Sequence, residues 1–156
     1  MPTPPVQDAR KFFMLPQGYE GGGYYTYGTP DQGRSQYAHP RLMTLIGLVA
    51  EAWAAIDERK FGVGNISLAD GVKHPDHATH RSGLEVDVRP VRKDGRRLPC
   101  SIHDAQYDRE ATTKLIALFR KNAALKVVLF NDLAIPHVTP AKGHHDHFHI
   151  QLLGAK

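Results

Sequence analysis

The sequence contains a single cysteine, Cys100, so the chain cannot form an internal disulfide. We expect Cys100 to be a small buried or semi-exposed residue rather than a nucleophile. No apolar run approaches the ~18–20 residues that a helix needs to span a bilayer. The first residues also lack the basic segment and apolar core of a secretory signal. These absences predict a protein made in the cytoplasm, without a membrane span.

Regular patterning is scarce over residues 1–36, which are rich in proline, glycine and tyrosine. We expect this segment to be an irregular N-terminal arm, followed by the main part of one globular domain over residues 37–156. Alternatively, the tyrosine-rich residues 21–28 form a flexible loop or an aromatic wall beside a cleft. The 156 residues, 41% of them hydrophobic, suit a single domain with one core.

Helical periodicity appears between Pro40 and about Lys60, where apolar residues recur at three- and four-residue steps. Asp108 is suited to cap a second helix that ends near Asn122. Short strands are predicted at residues 65–70, 84–88, 125–130 and 147–152. The resulting order of helix, strand, strand, helix, strand, strand predicts an α+β domain.

Histidine is abundant and unevenly placed. Of ten histidines, three lie within residues 74–80 and four within residues 144–149. Composition alone would scatter them, and imidazole is the commonest metal ligand in proteins. The two clusters therefore indicate one metal site assembled by folding. A solvent-facing group of unrelated histidines is the plainer alternative. A purification tag is disfavoured because the second cluster is irregular and continues into an apolar strand.

Each histidine cluster adjoins a predicted strand with one polar face. Residues 84–88 alternate so that Glu85 and Asp87 share a face, opposite the apolar residues. Residues 147–152 alternate in the same way and place His147, His149 and Gln151 together.

The predicted ligands follow from these faces. If the two strands are neighbours, Asp87 and His149 converge on one metal. His80 joins them from the preceding loop, with Gly83 allowing the turn between. Two imidazoles and one carboxylate with an open fourth position compose a catalytic zinc site. The sequence therefore predicts one zinc ion per chain.

The same residues resemble a known family. His80 followed by Asp87, and a late His147-Phe148-His149, look like the paired motifs of the zinc peptidases that include D-Ala-D-Ala dipeptidases and murein endopeptidases. Within that group, residues 77–87 and the spacing of His144, His147 and His149 most resemble the penicillin-insensitive murein endopeptidases. A weaker similarity extends over residues 37–152.

The resemblance implies a zinc peptidase that hydrolyses peptide cross-links of peptidoglycan, as a D,D-endopeptidase at the D-Ala–meso-diaminopimelate bond. It also implies a mostly antiparallel central sheet, with helices packed against it and the zinc site on the sheet face. Cleavage as a carboxypeptidase or dipeptidase of wall peptides is an alternative.

The remaining site residues receive roles partly from this resemblance. His147 shares a strand face with His149 and matches the family's general base, while His144 matches a histidine that stabilises the oxyanion. His77 corresponds to an additional cleft histidine, although an imidazole that supports the ligands from behind or faces solvent explains it equally well. Asp70 aligns loosely with a substrate-binding position, although an Asp-Gly turn explains it equally well. The dipeptidase branch uses a glutamate as base at the position of Asp146, so Asp146 is the alternative base.

The chain also departs from these relatives. The periplasmic murein endopeptidases carry a signal peptide, several cysteines and a proline-rich tail, which this sequence lacks. We therefore expect an enzyme that reaches the wall after lysis or delivery, as a phage lysin or an effector. Peptidoglycan is the expected partner, together with an immunity or delivery protein, and neither nucleic acid nor a membrane is expected.

A net charge of +4 suits an acidic partner. Five basic residues follow the first motif, and they are Arg89, Arg92, Lys93, Arg96 and Arg97. The anionic wall and nucleic acid are both candidates for binding them, and a solvated loop is the plainer interpretation. A metal-dependent nuclease and a non-catalytic zinc module that binds the wall or a protein are therefore the rival functions.

Overall fold

The computed structural model describes residues 4–17, 22–27 and 32–154. Two α-helices, seven short strands and one 3-10 turn make up the secondary structure of these residues. The helices are α1 (Pro40–Ala54) and α2 (Arg109–Asn122), the 3-10 turn is Ala69–Gly71, and the strands are β1 (Phe13–Met14), β2 (Tyr24–Thr26), β3 (Tyr37–Ala38), β4 (Phe61–Val63), β5 (Glu85–Val88), β6 (Leu125–Leu129) and β7 (Phe148–Leu152).

The strands form two sheets. Five of them lie in the order β2-β4-β5-β7-β6, and β1 pairs with β3 in a separate two-stranded sheet. Only the β2–β4 pairing is parallel, and the other pairings are antiparallel. The predicted α+β domain with a mostly antiparallel sheet is confirmed.

Both helices begin where the sequence indicates. The side chain of His39 accepts a hydrogen bond from the Arg41 N–H at the start of α1, and Asp108 accepts one from Ala111 at the start of α2. Helix α1 ends at Ala54, earlier than predicted, because the chain turns there and the Trp53 indole N–H donates to the Arg59 carbonyl at 2.6 Å.

The hydrophobic core lies between the helices and one face of the five-stranded sheet. Phe119 of α2 packs edge-on against Phe61 of β4 and Phe148 of β7, with ring centroids 6.0 and 6.3 Å apart. Val86 and Val88 of β5 are fully buried in the same cluster. Alternate residues of β5 and β7 therefore point away from the helices.

The strand predicted at residues 65–70 is wrong. The backbone there makes isolated hydrogen bonds to two distant segments. Ile66 N–H donates to the Ser35 carbonyl, Tyr37 N–H to the Ser67 carbonyl, and Asp87 N–H to the Asn65 carbonyl. The stretch ends in the 3-10 turn, where Asp70 has a φ of 62°. Strand β4 lies earlier, at Phe61–Val63.

The N-terminal arm carries more regular structure than its sequence predicts. It contributes β1 to the small sheet and β2 to the edge of the larger one. The ends of the tyrosine-rich stretch, Gly21 and Gly28, lie outside the described residues. Within the described part of the chain, no helix is long and apolar enough to cross a membrane. Cys100 is fully buried, as expected.

Candidate metal centre

The centre is built on the pairing of β5 with β7. These strands run antiparallel, and Asp87 lies directly opposite His149. The Asp87 carboxylate (Oδ1) and the His149 ring nitrogen (Nδ1) are 3.1 Å apart. The sequence predicted that these two side chains converge, and the structure places them in contact.

The loop before β5 brings two further histidines to the same carboxylate. The Nε2 atom of His80 lies 3.3 Å from Asp87 Oδ1, and the Nε2 atom of His77 lies 4.0 Å from Asp87 Oδ2. Gly83 has a φ of 75°, and a Cβ there would lie 2.8 Å from the His39 backbone nitrogen. The turn that returns the loop to β5 therefore requires glycine.

This loop buries the polar face of β5, which the sequence predicted to be only half-buried. The exposed fractions of Glu85, Asp87 and His149 are 5%, 4% and 5%. Burial of two carboxylates is costly unless positive charge accompanies them. Protonated imidazole or a divalent cation would supply that charge.

His77, His80 and Asp87 form a group that could hold a metal ion. Each offers one ligand atom, and these atoms lie within 4.8 Å of one another. The Nδ1–H of His80 donates to the Ile66 carbonyl at 2.9 Å, so its Nε2 faces Asp87. A backbone carbonyl that fixes the tautomer in this way is typical of metal-ligating histidines.

The predicted ligand set shares His80 and Asp87 with this group and has His149 as its third member. Two observations favour His149. The Asn65 amide lies 2.9 Å from His77 Nε2, and the Ser35 hydroxyl donates to the amide oxygen of Asn65 at 2.5 Å. The Asn65 amide nitrogen therefore donates to His77, and this hydrogen bond occupies the Nε2 lone pair with which His77 would bind a metal.

The second observation is that a carboxylate holds the ring nitrogen of His149 that points away from Asp87. Its Nε2 lies 3.2 Å from Glu85 Oε1, while Nδ1 faces Asp87. The arrangement of carboxylate, histidine and metal position is the one that orients ligating imidazoles. The assignment of His149 as the third ligand stays a prediction.

The charges of the centre are strongly coupled. Burial raises the pKa of Asp87, but hydrogen bonds from His149 and His80 outweigh it and lower that pKa well below its usual range. For Glu85, burial is likewise outweighed by hydrogen bonds from His149 and the His80 backbone, which lower its pKa to about 2. Burial lowers the pKa of His149, but the two carboxylates raise it to about 9. Both carboxylates are therefore ionised at neutral pH.

The second histidine cluster lines the open side of the centre. The Nδ1–H of His147 donates to Asp146 at 2.8 Å, and its Nε2 lies 3.9 Å from Asp87 Oδ1. The His144 ring lies 4.7 Å from the His147 ring and 6.0 Å from that of His149. Burial lowers the pKa of His144, which favours its neutral form.

Asp70 lies apart from this cluster of contacts. It is exposed, and its carboxylate accepts a hydrogen bond from the Ala9 N–H at 2.7 Å. Its own N–H donates to Asp8 at 2.8 Å. These contacts join the 3-10 turn to the N-terminal arm, and the substrate-binding role of Asp70 stays a prediction.

Sequence reasoning did not assign a role to Glu85. Its two carboxylate oxygens hold both sides of the centre, since Oε2 accepts the His80 backbone N–H at 3.0 Å and Oε1 meets His149. The available signal was its position on the same strand face as Asp87. Asn65 was also missed, because its contact with His77 depends on tertiary folding.

We expect Glu85→Gln to weaken metal binding at the predicted zinc site while preserving the fold. The amide has the same shape but removes the charge that orients His149, and changes of this kind typically cost ~10–100-fold in metal affinity. Competition with a zinc chelator measures the affinity, and circular dichroism measures the fold. Glu110→Gln, an exposed change on α2, is the matched control. Equal zinc affinity in Glu85→Gln and the control would show that Glu85 does not position the ligands.

Comparison with known proteins does not identify the chain. No family model matches it, and no curated protein gives a significant match. Any functional conclusion therefore depends on the geometry and motifs of the site itself.

Proposed function

We propose that this protein is a zinc metallopeptidase that hydrolyses peptide cross-links of peptidoglycan, with the D-Ala–meso-diaminopimelate bond as its target. One observation carries the proposal. A buried carboxylate, Asp87, contacts His80 and His149, while His147 faces it from the open side with a carboxylate behind. This combination provides metal ligands and a separate acid–base group. The motif resemblance supplies the substrate class.

The ligand set suits zinc. His80, Asp87 and His149 offer two nitrogens and one carboxylate oxygen, and three protein ligands leave a fourth position open. A zinc ion held by these three side chains would supply a nucleophilic water at near-neutral pH and would polarise the scissile carbonyl. The chain itself then has to move a proton and stabilise charge.

His147 is suited to move that proton. Donation from Nδ1–H to Asp146 leaves the Nε2 lone pair directed toward Asp87 and the centre. In that tautomer, Nε2 accepts a proton from the attacking water and returns it to the leaving amine. Asp146 fixes the tautomer and stabilises the imidazolium that forms.

His144 and His77 complete the cleft. His144 lies against both His147 and His149. Its Nδ1–H donates to the Lys142 carbonyl at 3.0 Å, so only its protonated form, which also carries Nε2–H, donates to the oxyanion that develops on the scissile carbonyl. His77 is half-buried and held by Asn65. Because burial lowers the pKa of His77, it remains a neutral hydrogen-bonding group beside the cleft.

Digestion of purified sacculi tests the proposal. We expect zinc-loaded protein to convert cross-linked muropeptide dimers into monomers, as mass analysis of the products would reveal. Loss of a terminal D-Ala without loss of dimers would indicate a carboxypeptidase instead.

Two further outcomes would replace the proposal. Stoichiometric zinc without turnover on sacculi would favour a binding module, and cleavage of plasmid DNA would favour a nuclease. His147→Ala in the same assay controls for contaminating hydrolases. We also propose that the enzyme reaches the wall after lysis or delivery, and that an immunity or delivery protein binds it.

A further inference from the structure

A row of residues crosses the sheet from β2 to the metal centre. In the parallel pairing, Tyr25 lies opposite Gly62, and in the antiparallel pairing Val63 lies opposite Val88. The Gly64 N–H donates to the Asp87 carbonyl at 2.7 Å, and the Tyr27 N–H donates to the Val63 carbonyl at 3.0 Å. Tyr27, Gly64 and Asp87 are therefore consecutive neighbours across the strands.

Glycine at position 64 lets the Tyr27 ring lie over the neighbouring strand. A Cβ on Gly64 would lie 2.7 Å from the Cζ atom of Tyr27. The ring thus occupies the space above Gly64, on the side of Asp87. Tyr25 lies over Gly62 in the same way. Two aromatic rings consequently flank the centre on its β2 side.

Arg89 is stacked on the ring closer to the metal centre. Its guanidinium carbon lies 3.8 Å from the centroid of Tyr27. Arg89 directly follows β5 and lies two positions after Asp87, which separates their Cα atoms by roughly 7 Å of extended chain. Within the described part of the chain, this stacking is the only side-chain interaction that Arg89 makes.

The stacked geometry leaves the edge of the guanidinium available. An arginine that lies flat on an aromatic ring still presents N–H groups in its own plane, in the fork that matches a carboxylate. Burial, followed by the charge of Asp87, raises the pKa of Tyr27 well above its usual value. The Tyr27 hydroxyl therefore keeps its proton and can donate beside Arg89.

We propose that Arg89, held by Tyr27, binds a carboxylate of the substrate next to the scissile bond. This inference rests on the proposed function and names the group by which the substrate is recognised. In a D-Ala–meso-diaminopimelate cross-link, a free carboxylate sits on the carbon that bears the leaving nitrogen. One residue of extended peptide spans ~3.3–3.6 Å, and the arginine side chain covers the remaining distance.

A carboxylate fits better than a phosphodiester. Two carboxylate side chains, Glu85 and Asp87 of β5, lie four and two positions before Arg89, and they disfavour the approach of a strand of several phosphates. The single positive charge of Arg89 neutralises the single negative charge of one carboxylate. Arg97, 5.6 Å from the centroid of Tyr25, is a second cation farther along the row.

The test compares two cross-linked muropeptide dimers that differ in one group. One has the free diaminopimelate carboxylate beside the cross-link, and the other has it amidated. We expect zinc-loaded wild-type protein to prefer the free carboxylate, and Arg89→Gln to raise KM for that dimer by roughly 10–100-fold, the effect of losing a charged hydrogen bond. The amidated dimer should show little change in KM, and kcat should change less than KM.

Three variants sharpen the result. Arg89→Lys keeps the charge but loses the fork, so it should recover only part of the discrimination. Tyr27→Leu removes the ring beneath Arg89 and should weaken carboxylate preference without loss of zinc. Lys114→Gln removes a charge from the exposed face of α2 and should have no effect. Zinc content and circular dichroism accompany each variant.

Failure of this inference is distinguishable from failure of the proposed function. If neither dimer is hydrolysed, calorimetric binding of both dimers to zinc-loaded protein still measures the preference for the carboxylate. Equal binding of the free and amidated dimers, or an equal loss on both in Arg89→Gln, would overturn the subsite. A short oligonucleotide that displaces the free dimer at a lower concentration than unlabelled dimer does would assign Arg89 to phosphate. That result would also overturn the carboxylate subsite.

Discussion

Replacing Asp87 with alanine is expected to abolish both the predicted zinc binding and the proposed hydrolysis of peptidoglycan. The carboxylate contacts His80 and His149 and lies within 4.0 Å of His77 and His147. Without it, only imidazoles remain of the predicted ligands. Elemental analysis should fall from about one zinc per chain, the stoichiometry of a mononuclear site, to background, and turnover should fall with it.

Single alanine variants of the histidines identify the third ligand. His80→Ala and His149→Ala should lose zinc as Asp87→Ala does, whereas His77→Ala should retain it because Asn65 already occupies its Nε2. Asp94→Ala, in the exposed loop paired with Arg92, is the matched control. Full zinc occupancy in Asp87→Ala would contradict the site. Loss in His77→Ala with retention in His149→Ala would assign the third ligand to His77.

The polar face of β5 and β7 was the most predictable part of the molecule. Alternation within residues 84–88 and 147–152 identifies both strands and the side chains that point away from the core. The same alternation places both Asp87 and His149 on that face, but it does not show that they lie opposite each other. Their pairing was only a hypothesis, because register depends on contacts between segments distant in sequence.

Strand β4 could not be predicted from the local sequence pattern. It has three residues, one of them Gly62, and glycine alone weakens a strand. Its position is fixed by neighbours on both sides, through Phe61 N–H to the Gly23 carbonyl and Arg89 N–H to the Gly62 carbonyl. Residues 65–70, where Ile66 and Leu68 alternate with polar neighbours, looked more strand-like, but their backbone has no continuous partner among the described residues.

The outer parts of the site escaped prediction for the same reason. Glu85 acquires its role only when the loop carrying His80 folds over it, and Asn65 only when its amide reaches His77. Tyr27 was recognised as part of a tyrosine-rich stretch with two interpretations. Its place beside Asp87 depends on the absence of a side chain at Gly64.

His147→Ala is expected to retain zinc and lose most turnover. The three predicted ligands stay in place, while the group proposed to exchange a proton with water and the leaving amine is removed. General acid–base groups typically contribute ~10²–10⁴-fold, so a fall of that size with unchanged metal content is expected. Rate and zinc content must be measured on the same preparation, because loss of metal would mimic loss of the base.

Asp146→Ala provides the decisive comparison. The carboxylate is exposed and bonded to His147 Nδ1 at 2.8 Å, so its removal should disturb the orientation of the base and cost only ~10–100-fold, as for other groups that orient a catalytic or ligating histidine. An inactive Asp146→Ala beside a nearly normal His147→Ala would reverse the assignment. The chain would then use a carboxylate base, which is the alternative that the motif resemblance offers, and the contact between the two side chains would serve to position Asp146. Because both variants leave His80, Asp87 and His149 intact, their ranking reports on proton transfer rather than on metal binding.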